Sequence, residues 1–222
     1  MSFIVAIDGP AGSGKGSVTE LLSKRLGLIN IDSGAAYRCV ALACIEKGVS
    51  LEQKNEIIKL LDEIKIEYKN ENGKNIVYLN GEDVSLKIRQ PDVTKTVSQI
   101  SSIKEVRFKL NEIFRKYAEV KNVVMEGRDI GTYVFPNADI KFYLDASAEE
   151  RAERRYRQNK EAGIEQSFED VLENIKLRDK NDMEKEIGAL KKADDAYYID
   201  STGMSLEEET DAVEKIINFK MK

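Results

Sequence analysis

Short continuous apolar runs alternate along the chain with longer stretches of helical periodicity. Phe3-Ile4-Val5-Ala6-Ile7, closed by Asp8-Gly9-Pro10, predicts a strand buried on both faces of a parallel sheet. Val18, Leu21, Leu22 and Leu26 then carry the spacing of an amphipathic helix that stops at Gly27. Leu28 to Ile31 forms a second apolar stretch before Asp32-Ser33-Gly34, and a helix through Tyr37, Ala41 and Ile45 ends near Gly48. Ser50, with Gln53 three residues on, reads as the N-cap of another helix. From Ile64 the period changes to strict alternation through Ile66 and Tyr68. A Gly73 turn, the run Ile76-Val77-Tyr78-Leu79 and the Asn80-Gly81 pair follow, and together they predict antiparallel hairpins set into an α/β order.

Two helices are expected near 91–101 and 103–119. Val123-Val124-Met125 and Ile140 to Leu144 are again buried-strand runs. Residues 147–192 are charge-dense and mostly helical in pattern, Tyr197-Tyr198-Ile199 predicts a last strand, and Ser205 with Glu208 a capping box on a last helix. Five strand–helix alternations predict a parallel sheet with helices on both faces.

The length of 222 residues suits one domain carrying an insertion. The net charge of −5 argues against a protein built to wrap nucleic acid. No apolar run approaches a membrane span, and no basic leader precedes the first strand, so a cytoplasmic protein is the expectation, taken to be a monomer. Cys39 and Cys44 read as reduced core thiols. The chain has no histidine, which removes Ser-His-Asp and Cys-His nucleophile schemes, HExxH metal sites and any histidine base.

Gly9-Pro10-Ala11-Gly12-Ser13-Gly14-Lys15-Gly16-Ser17 sits between the first strand and the first helix. Glycines let the backbone curl so that its N–H groups face a phosphate, the helix N-terminus adds positive charge, and Lys15 can reach the outer phosphates. The hydroxyl is delayed by one residue to Ser17, an ending that resembles nucleoside monophosphate kinases more than GTPases or motor ATPases. No Asn-Lys-x-Asp sequence is present to read guanine, which speaks against a GTPase.

Three further segments carry candidate chemistry. In Asp32-Ser33-Gly34-Ala35-Ala36-Tyr37-Arg38, Ser33 is either an N-cap or a ligand contact, and Arg38 places a charge beside a core-facing stripe. In Glu126-Gly127-Arg128-Asp129-Ile130-Gly131, two glycines bracket an Arg-Asp pair that is either a ligand contact or a structural ion pair. Lysines outnumber arginines about two to one, yet Arg151, Arg154, Arg155 and Arg157 crowd together, with Arg178 further on. Arginine is preferred where a planar fork must hold phosphate oxygens, although a solvated helix face is the ordinary reading of a charge run. Arg178, Asp182 and Lys185 fall on one face of a continuous helix, and the polar stretch Gln158 to Ser167 suits a lid.

In order and spacing, GPAGSGKGS, DSGAAYR, NGEDVS, SQISSIKEVR, EGRDIGT, FYLDAS, ERAERR and IKLRDKND resemble the bacterial cytidylate kinase family over essentially the whole chain. The resemblance implies an α/β P-loop three-layer sandwich with a five-stranded parallel sheet, a CMP-binding insert containing a small antiparallel sheet, and a helical lid. It implies a core over about 1–32, 120–155 and 183–222, an insert over about 33–119 and a lid over about 156–182. It further implies ATP and CMP or dCMP as substrates, with Mg²⁺ as cofactor and Ser17 as its protein contact. Residues 9–17 with Arg154 and Arg155 would take ATP. Ser33, Arg38, Ser98, Arg107, Arg128, Asp129 and Asp182 would take CMP, and Lys15, Arg128, Arg178 and Lys185 would serve the transfer. Ser98 and Arg107 rest on the resemblance alone, since by periodicity they are ordinary helix-surface positions. Lys185 and Glu126 depart from the family pattern, where an arginine and an aspartate are common.

The missing histidine fits this chemistry. A nucleoside monophosphate is largely dianionic at neutral pH and needs alignment and charge neutralisation more than a base. The rival readings are a kinase for UMP, dephospho-coenzyme A or shikimate and, from a different class, a non-catalytic nucleotide-sensing P-loop module.

Overall fold

The computed structural model describes residues 2–71, 74–161 and 163–221. Among them the elements run β1 (Ile4–Asp8), α1 (Lys15–Leu26), β2 (Ile29–Asp32), α2 (Ser33–Lys47), α3 (Lys54–Glu63), β3 (Ile66–Glu71), β4 (Lys74–Leu79) and β5 (Glu82–Asp83). Then follow α4 (Pro91–Ser102), α5 (Lys104–Val120), β6 (Val123–Gly127), β7 (Ile140–Asp145), α6 (Ala148–Glu161), α7 (Phe168–Met183), β8 (Tyr197–Asp200) and α8 (Leu206–Lys220).

The main sheet is five-stranded and parallel, in the order β2-β6-β1-β7-β8. β1 lies at its centre with Val5, Ala6 and Ile7 fully buried, as a continuous apolar run requires when both faces are covered. One face packs on α1 and α8 through Val18, Leu22, Val213 and Ile217. The other packs on α2 and the helices beyond it. Each such side chain, fully buried, contributes roughly 1.5–3 kcal/mol. α2 is apolar all round, with buried Ala35, Ala36, Cys39, Val40, Ala41, Ala43 and Cys44, so it is the central helix of the larger core cluster. Both cysteines are free and buried, and burial lifts the Cys39 thiol to about 12, which makes it inert.

β3, β4 and β5 form the small antiparallel sheet that the alternation predicts. The predicted Gly73 turn lies outside the described residues. Tyr68 joins this sheet to the main one by donating its hydroxyl to the Asp32 carbonyl at 2.8 Å.

Three local expectations change. Ser50 does not cap α3: that helix starts at Lys54 with Gln53 before it, and Ser50 and Gln53 close a turn one step earlier. Ser33 is not an N-cap either, because Asp32 takes that place by accepting the Ala35 amide at 2.9 Å. α7 ends at Met183, so Lys185 lies beyond the helix that was to carry it with Arg178 and Asp182. The Ser205–Glu208 capping box is present as expected.

Candidate active site

β1 ends at Asp8 and α1 begins at Lys15, so the phosphate loop turns at the carboxyl edge of the central strand. Gly14 has φ +91°, the left-handed region that favours glycine. A β-carbon at Gly14 would stand 2.8 Å from Oε2 of Glu209, which reaches the loop from α8. Lys15 is folded into the loop. Its Nζ donates to the Pro10 carbonyl at 2.6 Å and the Ser13 hydroxyl at 3.2 Å, and only 4% of the residue is exposed. Burial and the nearby Arg128 bring its pKa down to about 7. The Ser17 hydroxyl is exposed at the start of α1.

Asp8, which the sequence reading did not single out, ties this loop to the Arg-Asp segment. Its carboxylate accepts the Ile130 and Gly131 amides at 2.7 Å each and so caps the π-helical turn Ile130–Val134. Burial pushes its pKa up to about 7, against the two amide bonds that favour the charged form. Glu126 lies alongside, its Oε1 2.9 Å from where a β-carbon at Gly16 would stand, and burial with the Asp32 charge raises its pKa.

The side of the site across from the loop is assembled from five segments. Ser33, the first residue of α2, donates its hydroxyl to the Glu126 carbonyl at 2.7 Å. Arg38, one turn on, pairs with Asp32 at 2.7 Å, and its buried Nε has no partner. Arg128 donates Nε to Asp182 at 2.7 Å, and Lys185 donates to the other Asp182 oxygen at 2.8 Å and to the Ser101 hydroxyl at 3.3 Å. These cations hold the Asp182 carboxyl below its ordinary value in spite of its burial. The Arg128–Asp129 alternatives resolve into separate partners: Arg128 pairs with Asp182, and Asp129 pairs with Arg107. Ser98 is exposed on α4 and, with Lys95, Asn181 and Lys185, lines an open cleft of about 500 Å³ between α4 and the end of α7.

Arg178 differs from its neighbours, having no carboxylate within ion-pair distance among the described residues. Partial desolvation and the nearby Arg128 hold its pKa below the ordinary arginine value, with Arg38 and Arg155 adding to the effect.

The arginine run divides. Arg151 faces inward, donating to the Ala146 carbonyl at 2.9 Å and the Ala11 carbonyl at 3.0 Å, and pairs with Asp179 of α7 at 2.7 Å. It anchors the phosphate loop to the α6–α7 pair. Arg154 donates to the Ser201 carbonyl at 2.9 Å and to Glu150, while Arg157 pairs with Glu153 on the same helix. Among the described residues Arg155 makes only a long contact with Gln158 at 3.5 Å. Arg151 and Arg157 are thus engaged by carboxylates, Asp179 and Glu153.

A phosphate loop at the carboxyl edge of a five-stranded parallel sheet, faced by Arg38, Arg128, Arg178 and Lys185, places the molecule among the P-loop phosphotransferases. Solved structures agree at the level of the fold alone. An uncharacterized protein from Eubacterium ventriosum superposes with a TM-score of 0.56 at 15% identity, covering 98% of this chain and 99% of its own. TT1252 from Thermus thermophilus gives 0.50 at 18% identity, covering 100% and 98%. The chain belongs to the cytidylate kinase family, whose model matches residues 5–220. The cytidylate kinase of Caldicellulosiruptor saccharolyticus is 48% identical over 92% of this chain and 90% of its own length. That of Lactobacillus johnsonii is 42% identical over 98% and 95%.

Proposed function

We propose that the protein transfers the γ-phosphoryl group of ATP to CMP or dCMP, giving ADP and CDP or dCDP. The observation that carries this, beside family membership, is the meeting of two anion sites at one sheet edge. The loop of Gly9 to Ser17 offers amides and Lys15 to a triphosphate. Across from it stand the cations Arg38, Arg128, Arg178 and Lys185, of which Arg38 pairs with Asp32 and Arg128 and Lys185 share Asp182. Two polyanions brought together need such cations, and stabilising charge on the transferring group is the larger part of such catalysis.

In this reading the loop holds the ATP phosphates, with Arg154 and Arg155 bordering the nucleotide. Ser33, Arg38 and Arg128 hold the CMP phosphate, Asp182 the sugar hydroxyls, and Ser98, Arg107 and Asp129 the cytosine. Arg178 and Lys185 close on the transferring group from the lid side. The core takes residues 1–32, 120–155 and 183–222, the CMP-binding insert 33–119, and the lid 156–182, its first boundary falling within α6. Water would compete as acceptor, so closure of this lid serves the reaction.

Mg²⁺ suits the donors present. The ion is held by one or two protein oxygens together with substrate phosphates instead of by a full protein cage, and no cluster of three metal-ligating residues occurs among the described residues. The exposed Ser17 hydroxyl, and Glu126 beside Gly16, would hold it directly or through water. When bound it supplies neutralisation of the β- and γ-phosphate charge.

Cytosine offers an amino donor and an N3 acceptor where uracil offers a carbonyl and an N–H. A carboxylate and a guanidinium in fixed positions satisfy the first and leave buried groups unpaired with the second. A coupled ADP-release assay tests the proposal. Turnover should require the acceptor, kcat/KM for CMP should exceed that for UMP by about 10²-fold or more, and Asp129→Ala should erode that ratio mainly by lowering the CMP value. Comparable rates on CMP and UMP would overturn the cytidylate reading and leave a phosphotransferase of another acceptor.

A further inference from the structure

Gly188 lies in the segment between α7 and β8 with φ +72°. It rests on the Arg107 guanidinium so closely that a β-carbon there would overlap Nη2, Cζ and Nε. The segment is held in place around it. The Leu190 amide donates to the Asp182 carbonyl at 2.8 Å, Lys185 binds Asp182 and Ser101, and Lys141 of β7 binds Asp195 at 2.9 Å. Beneath it Arg107 is 3% exposed and Asp129 6%. The guanidinium uses Nη2 on Asp129 and Nη1 on the Ser101 carbonyl, its centre lies 5.7 Å from the Tyr37 ring, and its buried Nε has no partner.

We propose that Gly188 is a specificity-determining position, its bare backbone clamping the Arg107 guanidinium onto Asp129 and so fixing which donor and acceptor atoms the pair offers to a nucleobase. The proposal rests on reading Arg107 and Asp129 as the base-recognising pair. An arginine side chain has several rotamers to choose from, and a guanidinium free to swing could re-aim its donors at uracil oxygens. Discrimination by unpaired buried groups works only when the reader is unable to adapt. The strap removes that freedom, and a β-carbon at this position would displace the guanidinium from where it lies.

Alanine at 188 would meet the far end of a long side chain, so the chain gives at Arg107 and the fold survives. Its left-handed strain is matched by Gly48→Ala, where φ is +65° and nothing lies within 4 Å of the added carbon. Gly188→Asn adds the same carbon with a residue that tolerates this backbone region, which separates strain from displacement. Melting temperature and kcat/KM for CMP and UMP are measured for these three variants and for Arg107→Gln.

Gly188→Ala and Gly188→Asn should each lose about tenfold of the CMP/UMP ratio, the equivalent of one hydrogen bond, mainly through a higher KM for CMP with KM for ATP unchanged. Gly48→Ala should keep the ratio. An unchanged ratio in both Gly188 variants, with the ratio lost in Arg107→Gln, would overturn the clamp and leave the base reading intact. A ratio retained in Arg107→Gln as well would overturn the base reading and the clamp with it.

Discussion

The donor and acceptor halves of the cleft are built in opposite ways. The donor loop is one unbroken run of residues whose shape is set by backbone, with its lysine held by carbonyl and hydroxyl oxygens of the same loop. The half proposed for the acceptor draws Ser33, Arg38, Arg107, Arg128 and Asp182 from elements scattered over the chain, and its arginines are held in internal ion pairs. A site made of backbone is preformed, and a ligand enters it at little reorganisation cost. A site made of paired side chains must exchange internal partners for ligand oxygens, so affinity there is a difference between two sets of charge-assisted bonds. That difference is a place where the identity of the acceptor can be read.

The largest effect should fall on the donor half. Lys15→Ala should lower kcat by about 10²–10³-fold, the range seen when a transition-state charge contact is removed. Because Lys15 is buried and its charge is disfavoured there, the ligand-free protein should stay folded. Turnover and a thermal melt on the same preparation check this, and near-normal turnover would show that the loop is only a turn.

Within the acceptor half, partnered and unpartnered cations should separate. Lys185 is tied to Asp182, which keeps Arg128 as its partner when Lys185 is removed, so Lys185→Ala should cost about tenfold in kcat. Among the described residues Arg178 has no carboxylate to satisfy, so in the proposed reading it is available to a phosphoryl oxygen and Arg178→Ala should cost about 10²-fold with KM for CMP little changed. Equal losses would mean that the ring acts as an undivided field.

The same contrast explains what could be read in the sequence. The phosphate loop was legible because its chemistry is consecutive, and β1, β6 and β7 because both-face burial writes continuous apolar runs, whereas β8 is an exposed edge strand. Arg107 was not legible by pattern: it sits on α5 among ordinary amphipathic spacing, and the groups that meet its guanidinium, Tyr37, Ser101, Asp129 and Gly188, come from distant parts of the chain. Arginine crowding at 151–157 did not tell its members apart: Arg151 satisfies buried carbonyls of the phosphate loop and of the turn after β7, a use no local pattern distinguishes from phosphate binding. Asp8 and Glu209 escaped because a single carboxylate beside a turn or on an acidic helix carries no signal until its neighbours are known.

Glu209 also gives the smallest and most discriminating effect, a test of how firmly the donor loop is preformed. The residue is 2% exposed, its Oε1 has no partner, and it presses against Gly14. Burial lifts its pKa to about 7, although Arg154 and Lys15 work the other way. In the unfolded chain a glutamate titrates near 4.5, so between that value and about 7 the folded state holds the extra proton. The stabilisation is therefore complete below about 4.5 and is lost as pH rises through 7. Asp8 contributes with the same sign and Lys15 with the opposite one, so the difference between two proteins, not one profile, isolates the group. Glu209→Gln should be close to neutral at pH 5 and should melt several degrees higher than the parent at pH 8, taking about 2–4 °C per kcal/mol for a chain of this size. The phosphate loop should then bind ATP as before at both pH values, since the amide keeps the contact with Gly14. A melting difference that stays constant from pH 5 to 8 would show that the carboxylate behind the loop does not titrate there. Weakened ATP binding at both pH values would show instead that its charge helps to shape the loop.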